Sequence, residues 1–416
     1  MLSTAAVRQG PGTSSLPEPS VLPFGPARLA TALSRGQSVK REQIELMRRV
    51  ISDITDAAAL MDLASLCRLA GESERSRQCQ EQALALSQIY RLPPNQGTVP
   101  AVRLLMFAVP GDFMANTPIE FLLEGTRVSL DTVYLLPGRQ IPTELPEHDI
   151  VLVGIAEAPE TRSILVSLGT LLATWPKPVL NMPSRILDLA RERLFDVLAP
   201  VAGVTMPTTV WVNRATLREV VVGTMQLSSL AKDLRFPIIA RPVRSHAGEG
   251  LKKLNDEGEL FAYLLQEPSE DHYVARFVDY RSADGQFRKF RICFIGGTPY
   301  LCHMAISSEW MVHYLNAGME TDPLKRAEEA ANMQLFETTF ARRHAATLAG
   351  IAEALGLDYF AIDCAEMPDG RLLVFEAGTA MIVHRMDPPE LYPYKQVHMD
   401  KVCDSFVDFL RTRSGA

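Results

Sequence analysis

The sequence lacks the short cysteine and histidine patterns that identify most metal sites and disulfide frameworks. It has six cysteines but no CxxC pair, and its eight histidines show neither HxxxH nor HExxH spacing. The cysteines are scattered along the chain, at Cys67, Cys79, Cys293, Cys302, Cys364 and Cys403. Such scattering argues against a zinc site and against disulfides, and it favours reduced thiols in the cytoplasm.

Long apolar runs and an excess of basic residues are absent as well. No apolar run reaches the roughly 18–20 residues that cross a bilayer, and the first residues lack the basic start and apolar core of a signal peptide. The formal net charge is −7, whereas a general nucleic-acid binder carries a basic face. We therefore expect a cytoplasmic enzyme that binds neither nucleic acid nor a membrane. Its oligomeric state, including a homo-oligomer, stays open.

The pattern along the 416 residues divides the chain into segments, because so long a chain exceeds one compact core. Residues 1–38 are rich in Pro, Ser and Gly and predict a disordered or extended tail. Residues 39–95 predict helices, including one pair similar to a tetratricopeptide repeat. That pair is either a helical hairpin packed on its neighbour or a surface for a protein partner.

An α/β fold class is expected for the rest of the chain. Alternating strands and helices over residues 96–205 predict a doubly wound, parallel sheet. Residues 206–280 and 281–416 predict two further α+β units. Ligands of a doubly wound sheet bind beyond the carboxyl ends of its strands. Asp112, Asn116 and Thr117 follow the strand predicted at residues 102–109, and they are therefore candidate substrate residues.

Residues 236–253, FPIIARPVRSHAGEGLKK, predict a strand, a glycine-bearing loop and a second strand. The first strand carries a lone cation, Arg241, and two lysines follow the loop. Glycines let main-chain N–H groups approach an anion closely, and the cations neutralise phosphate charge. The loop lacks the GxxxxGK(S/T) of a P-loop and the GxGxxG of a dinucleotide fingerprint. It is a candidate phosphate cover, with an ordinary hairpin as the alternative.

The last predicted hairpin brings two carboxylates together. Its turn is Asp369-Gly370, and Asp363 and Glu376 lie six to seven residues on either side of it. Antiparallel pairing places them close to each other among hydrophobic neighbours. Such carboxylates are costly unless they are paired or hold a cation, and two of them can hold Mg²⁺ on nucleotide phosphates. Two rim carboxylates of an ordinary hairpin are the alternative.

The order of these features resembles the ATP-grasp superfamily, which includes D-alanine–D-alanine ligases, glutathione synthetases and the ribosomal-protein glutamate ligases. The order is a helix with a cation, a strand with a cation, a glycine-rich loop, a strand entering a hinge, an arginine-bearing strand and the carboxylate hairpin. The resemblance covers roughly residues 100–410.

The resemblance implies a role for residues at each of these positions. It implies that Arg193 and Arg241 bind phosphate, that Arg241 and Arg291 act in catalysis, and that ATP and Mg²⁺ are the cofactors. The loop that closes over the phosphates contributes Ser245, His246, Gly248 and Gly250. The connector that binds adenine contains Arg276, Phe277, Val278 and Asp279. The implied Mg²⁺ ligands are Asp363 and Glu376. Three further polar residues downstream are candidate substrate contacts: His303, Ser307 and His384.

Three positions depart from the family pattern. Arginines stand at Arg193 and Arg241, where relatives have lysines; arginine keeps the charge and can bind phosphate with two hydrogen bonds. The connector glutamate is replaced by alanine or arginine, depending on the register. The family ends its hairpin with Glu-x-Asn, and this chain has Glu376-Ala377-Gly378, which removes one oxygen ligand from a second Mg²⁺ site.

The chemistry implied by the resemblance is ATP-dependent joining of a carboxylate to an amine through an acyl phosphate. The substrates would be amino acids or peptides, and ADP and phosphate would be released. Two other hypotheses stay open. A degenerate member of the superfamily would bind nucleotide or a protein partner without ligation, and a phosphotransferase would use the same scaffold on a small molecule.

Overall fold

Three β-sheets with helices packed against them make up the computed structural model, which describes residues 18–95, 99–243, 245 and 248–415. This mixture of sheets and helices confirms the α/β fold class predicted from the sequence. Over the described ranges, none of the helices combines the length and the apolar character that crossing a bilayer requires.

A layer of helices begins the described chain and leads into a strand. Its elements are β1 (Ser20–Val21), α1 (Pro26–Ser34), α2 (Lys40–Ser52), α3 (Ala57–Leu69), α4 (Ser73–Leu86) and β2 (Ile89–Leu92). Helices α3 and α4 form the predicted helical hairpin, with Gly71 in the left-handed region at its turn. Two apolar residues whose spacing predicted the preceding helix face solvent, because Ile51 is 78% and Ile54 is 77% exposed. A partner for this layer stays a prediction.

The structure corrects two expectations for this layer. Residues 18–38 are not all extended tail, because Pro26 begins a helix, and proline suits the first helical position. The Asp62 carboxylate also fixes this segment by accepting hydrogen bonds from the N–H groups of Phe24 (2.7 Å) and Gly25 (3.1 Å). Residues 1–17 of that expectation lie outside the described residues. Residues 89–92, expected to be helical, form a strand that pairs with residues 130–133.

The first sheet contains the predicted parallel strands. Its further elements are β3 (Val102–Ala108), α5 (Glu120–Leu123), β4 (Val128–Tyr134), β5 (Ile150–Val153), α6 (Arg162–Leu172) and β6 (Val179–Leu180). The strand order is β1-β2-β4-β3-β5-β6. Strands β4, β3, β5 and β6 run parallel, and β2 pairs with β4 in the antiparallel direction. The sheet is thus parallel in its centre, with an antiparallel connection toward the helical layer.

The second sheet is smaller and has its own hydrophobic core. The chain continues through α7 (Pro183–Ile186), α8 (Arg191–Leu198), β7 (Val204–Thr205), β8 (Thr209–Asn213), α9 (Arg214–Val221), β9 (Ile238–Pro242), β10 (Lys252–Leu254), α10 (Glu257–Gln266) and β11 (Asp271–Arg276). The antiparallel strand order is β10-β9-β11-β8. Ile238, Leu260 and Val274 lie in its core. The hairpin predicted around the glycine-bearing loop is β9 and β10.

The third sheet contains the arginine-bearing strand and the carboxylate hairpin. Its elements are β12 (Phe287–Ile295), β13 (Thr298–Ser307), α11 (Pro323–Leu335), α12 (Phe340–Arg343), α13 (Ala345–Leu355), β14 (Tyr359–Glu366), β15 (Leu372–Gly378) and α14 (Lys395–Ser414). The strand order is β13-β12-β14-β15-β7. Where the alanine-rich pattern predicts one helix over residues 337–355, the structure has α12 and α13. The first and third sheets share a hydrophobic core, so the small second sheet is a separate body.

Candidate functional site

Strand register brings the predicted arginine and the two carboxylates side by side. Arg291 of β12 is the pairing partner of Asp363 on β14, and Asp363 is the partner of Glu376 on β15. The β14–β15 pairing has an irregularity immediately after Asp363. Side chains at paired positions of adjacent strands point to the same face of a sheet. One face of the third sheet therefore presents a cation and two anions in a row.

Asp363 is buried and paired with two cations. Its side chain is 1% exposed, and its Oδ1 lies 2.8 Å from Arg291 Nε, while Oδ2 lies 2.8 Å from Lys289 Nζ and 3.0 Å from Arg291 Nη2. Burial alone would raise the pKa of this carboxyl, but Arg291 and Lys289 outweigh burial and hold the pKa well below its usual range. Asp363 is thus an ionised carboxylate whose two oxygens are both engaged.

Glu376 is bridged to the helix that precedes the second sheet. Arg191, the first residue of α8, donates from Nη2 to Glu376 Oε2 at 2.7 Å. Burial tends to raise the pKa of Glu376, yet the Arg191 charge keeps it below its usual value. This contact ties α8 to the carboxylate hairpin.

Arg241 of β9 is a third arginine in the same region, and it belongs to the second sheet. Burial lowers the pKa of its guanidinium to about 10, with the nearby positive charge of Arg191 adding to the effect and Glu376 opposing it. No carboxylate among the described residues forms an ion pair with it, and its Nε instead donates to Ser245 Oγ at 3.1 Å. A buried cation facing another cation is stabilised by an added anion.

Arg193, the predicted first phosphate cation, is not part of this cluster. Its guanidinium is 58% exposed at the side chain and lies 2.7 Å from Asp188 Oδ1. The helix instead directs Arg191, two residues earlier, toward Glu376. A phosphate role for Arg193 stays a prediction, and Arg191 is the better-placed candidate.

The glycine-bearing loop folds back on Arg241 and lies near the third sheet. Ser245 is buried; its main-chain oxygen accepts a further hydrogen bond from Arg241, and its hydroxyl donates to Pro242 O at 2.9 Å. Gly248 and Gly250 have φ values of 81° and 64°, a region that favours glycine. A Cβ on Gly248 would lie 3.6 Å from the Sδ atom of Met311, a residue that follows strand β13. The predicted contact at His246 lies outside the described residues.

The predicted adenine connector joins the second and third sheets. Arg276 ends β11, and Phe277 N donates to Pro237 O at 2.9 Å. Phe277 packs between Lys253 Nζ, 4.0 Å from the ring centroid, and another aromatic ring. Val278 packs against the core of the third sheet, and Asp279 pairs with a neighbouring arginine at 2.7 Å. The connector therefore offers an aromatic ring and main chain at the hinge, and its contact with adenine stays a prediction.

The substrate candidates of the first sheet use their side chains locally. Asp112 Oδ1 accepts from Met114 N at 2.9 Å, and Asn116 exchanges two 2.8 Å hydrogen bonds with the Val109 main chain. Thr117 is buried, and its hydroxyl has no hydrogen-bond partner among the described residues. Asp112 and Asn116 thus shape a turn, and substrate contact at all three positions stays a prediction.

Two of the three downstream candidates, His303 on β13 and His384 after β15, lie near Arg291, whereas Ser307 at the end of β13 does not. Burial lowers the pKa of His303, and Arg291 and Lys395 lower it further. Burial, Lys395 and Arg291 also lower the pKa of His384, against the influence of Asp387. Both imidazoles are therefore neutral near pH 7. Ser307 Oγ accepts from Glu309 N at 3.0 Å at the end of β13.

A buried charge network beside these histidines has no counterpart in the sequence predictions. Lys395 is 2% exposed at its side chain, and its Nζ lies 3.5 Å from Glu329 Oε1 and 2.5 Å from Tyr314 Oη. Glu329 also accepts from Tyr314 (2.9 Å) and Tyr394 (2.6 Å). Lys395 lies at the start of α14 and Glu329 on α11. The network therefore connects helices α11 and α14 beside β13, the strand that carries His303.

Two cations of the cluster, Lys289 and Arg191, were not predicted as site residues, and the sequence contains a signal for Lys289 alone. Lys289 lies two residues before Arg291 on the same strand, and alternate residues of a strand share a face. The same rule that placed Arg291 would therefore have placed Lys289. Arg191 had no such signal, because the helical phase of α8 cannot be fixed from a short apolar pattern.

The residues as placed do not fit a Mg²⁺ ion at the predicted carboxylate pair. Mg²⁺ is bound through carboxylate oxygens, but both oxygens of Asp363 are engaged by Lys289 and Arg291. Gly378 supplies no side-chain oxygen. Within the described ranges, no group of three or more His, Cys, Asp or Glu side chains is arranged to hold a metal. The assignment of Asp363 and Glu376 as metal ligands stays a prediction that these contacts do not favour.

Comparison with solved structures finds similar chains at low sequence identity. D-alanine–D-alanine ligase from Bacillus anthracis complexed with ATP is 14% identical over 76% of this chain and 99% of that chain, with a TM-score of 0.44. The RimK domain ATP-grasp protein from Sphaerobacter thermophilus is 16% identical over 73% and 99%, with a TM-score of 0.39. The ATP-grasp ligase PsnB complexed with precursor peptide PsnA2 and AMPPNP is 13% identical over 76% and 99%, with a TM-score of 0.39. No family model and no curated protein matches the chain.

Proposed function

We propose that this protein is an ATP-dependent ligase of the ATP-grasp type that joins a carboxylate to an amine. One observation carries the proposal. Four cations, contributed by α8, β9 and β12, surround the two carboxylates Asp363 and Glu376. They are Arg191, Arg241, Lys289 and Arg291. An excess of partly buried positive charge between two separately packed sheets suits a polyanion such as the triphosphate of ATP.

The proposed reaction has two steps. A substrate carboxylate oxygen attacks the γ-phosphorus of ATP, the bond to the β-phosphate oxygen breaks, and ADP leaves. The amine nitrogen then attacks the carbonyl carbon of the acyl phosphate, a proton leaves the nitrogen, and phosphate departs with the electron pair of the broken C–O bond. The substrates are a small-molecule or peptide carboxylate and an amine.

The chain's own residues stabilise charge and exclude water in this scheme. Arg241 and Arg291 act on the transferring phosphoryl group and on the oxyanion, where fixed cations stabilise developing negative charge. In this scheme the loop that contains Ser245 and Gly248 closes over the phosphates and protects the acyl phosphate from hydrolysis. His303 and His384, which lie near Arg291, act in this scheme as substrate contacts.

The second candidate function is that of a degenerate ATP-grasp protein, which binds nucleotide but does not join the substrates. The observation that favours it is Gly378, which stands where an amide oxygen ligand is expected. A third hypothesis is a small-molecule kinase, which the products of ATP turnover distinguish from a ligase.

The products of ATP turnover distinguish these functions. The full-length protein is incubated with ATP and a panel of amino acids and dipeptides, and ADP and phosphate are measured separately. The ligase releases both only when an acid and an amine are present together, whereas a kinase releases ADP without phosphate. Binding of ATP without any turnover favours the degenerate member. An Arg291→Ala variant is expected to lose turnover more than ATP affinity; the reverse would move Arg291 to nucleotide binding.

A further inference from the structure

The contact between Lys289 and Asp363 bears on how this site neutralises phosphate charge. Lys289 Nζ lies 2.8 Å from Asp363 Oδ2, and both side chains are largely withdrawn from solvent, at 14% and 1% exposed. Arg291 engages both oxygens of the same carboxylate at 2.8 and 3.0 Å. A metal ion at Asp363 would compete with these two cations for the carboxylate oxygens.

The neighbouring carboxylate, Glu376, offers one oxygen, Oε1, that accepts no hydrogen bond from the described residues. Glu376 Oε2 already accepts from Arg191 at 2.7 Å. Two residues later Gly378 contributes only main chain. At a nucleotide site Mg²⁺ keeps several waters and is held by one or two carboxylates together with substrate phosphates. Here both carboxylates are already paired with protein cations. The carboxylate pair therefore holds protein cations in the place where a metal ion was expected.

The charge of the cluster supports the same conclusion. Four protein cations face two carboxylates, and Arg241 has no ion-pair partner among the described residues. Burial and the proximity of Arg191 lower the pKa of Arg241, which is the behaviour of a cation that lacks a counter-anion. The cluster can accept a polyanion without an accompanying divalent ion.

We propose that Lys289, held on Asp363, supplies the positive charge that a divalent ion would otherwise bring, so that this cluster binds a nucleoside triphosphate in its metal-free form. The inference rests on the proposed function, since it concerns the same nucleotide site. The ligand class is a free polyphosphate anion, with ATP as the representative. Lys289 acts here as a nucleotide-binding residue.

Equilibrium binding of ATP to the full-length protein, in excess EDTA and in excess MgCl₂, tests the proposal. The wild-type protein is expected to bind ATP at least as tightly in EDTA as with Mg²⁺. Lys289→Ala is expected to bind about tenfold or more weakly in EDTA, the loss of one charge-assisted hydrogen bond. Because the variant leaves Asp363 paired with Arg291 but removes the contact of Lys289 with Oδ2, Mg²⁺ is expected to restore much of its affinity. Lys289→Arg keeps the charge and is expected to retain binding in EDTA.

The matched control is Lys401→Ala, which removes an exposed lysine that pairs with Glu337 on the surface. It is expected to bind ATP as the wild type does under both conditions. Wild-type binding that is tenfold or more tighter with Mg²⁺ than in EDTA overturns the inference and leaves the proposed function standing. Absence of ATP binding in both conditions overturns the inference and the proposed function together. The wild-type comparison decides the matter even where a variant fails to fold.

Discussion

Arg191 and Arg193 provide a matched pair for locating the nucleotide phosphates. They lie two residues apart on α8, but Arg191 contacts Glu376 in the cation cluster and Arg193 contacts Asp188 outside it. Replacement of Arg191 by alanine should weaken ATP binding, whereas the same replacement of Arg193 should leave it nearly unchanged. The two variants change the net charge of the protein equally, so a general electrostatic effect cannot separate them.

The magnitude follows from the contacts. A hydrogen bond to a charged group contributes about 1.5–3 kcal/mol, so loss of one Arg191–phosphate contact weakens ATP binding about 10- to 150-fold. The variant also leaves Glu376 without its 2.7 Å partner, and the uncompensated carboxylate repels phosphate. Arg193 is 58% exposed at its side chain, and exposed ion pairs contribute about 0.2–1 kcal/mol to stability. Its loss should cost little in binding or in folding.

Titration of each variant with a fluorescent ATP analogue, displaced by ATP, gives the two dissociation constants. Circular dichroism and the urea midpoint establish that both variants are folded. Equal weakening in the two variants, or a larger effect for Arg193→Ala, would falsify the assignment of Arg191 to the site. It would restore Arg193 as the phosphate cation indicated by the family pattern.

Three other predictions concern stability and the loop. Lys395→Met should lower the free energy of unfolding by about 3–5 kcal/mol because it leaves Glu329 buried without its cation. Urea titrations measure this loss, and the double variant with Glu329→Gln should recover part of it. Hydrogen bonds from basic neighbours lower the pKa of Glu366 to about 2. The contribution of this carboxylate to stability is therefore present above about pH 4.5 and is lost as the pH falls toward 2. The difference in free energy of unfolding between wild type and Glu366→Gln should shrink over that range. Gly250→Ala places a Cβ 2.6 Å from Pro242 Cδ and should raise the KM for ATP. An unchanged KM contradicts the proposal that the glycine-bearing loop covers the nucleotide phosphates.

The central row of the site could be predicted because strand geometry is periodic. The Asp369-Gly370 turn fixes how the last two strands pair, and it places Asp363 against Glu376. The position of Arg291 beside Asp363 required the further assumption that β12 is the neighbour of β14, which the family resemblance supplied. The turn and the strands on either side of it are local in sequence, so sequence patterns constrain them strongly.

Contacts that depend on helical phase and on tertiary packing were not predictable. Arg191 and Arg193 differ by two positions on a helix, about half a turn, and no sequence pattern specifies which of them faces Glu376. Lys395 and Glu329 lie on different helices, and no local pattern links them. In the N-terminal layer, one of the helices predicted over residues 39–95 is present as α2, but its apolar residues Ile44, Met47 and Ile51 are exposed. Periodicity indicates a helix without specifying which neighbour its apolar face contacts.

The most direct test of the account is an experimental structure of the full-length protein with a non-hydrolysable ATP analogue, prepared in EDTA. The account predicts that phosphate oxygens lie within hydrogen-bond distance of Arg191, Arg241 and Lys289, with Lys289 still paired to Asp363. It also predicts that the adenine lies beside Phe277. Phosphates bound elsewhere, with the cation cluster unchanged at saturating nucleotide, would contradict it.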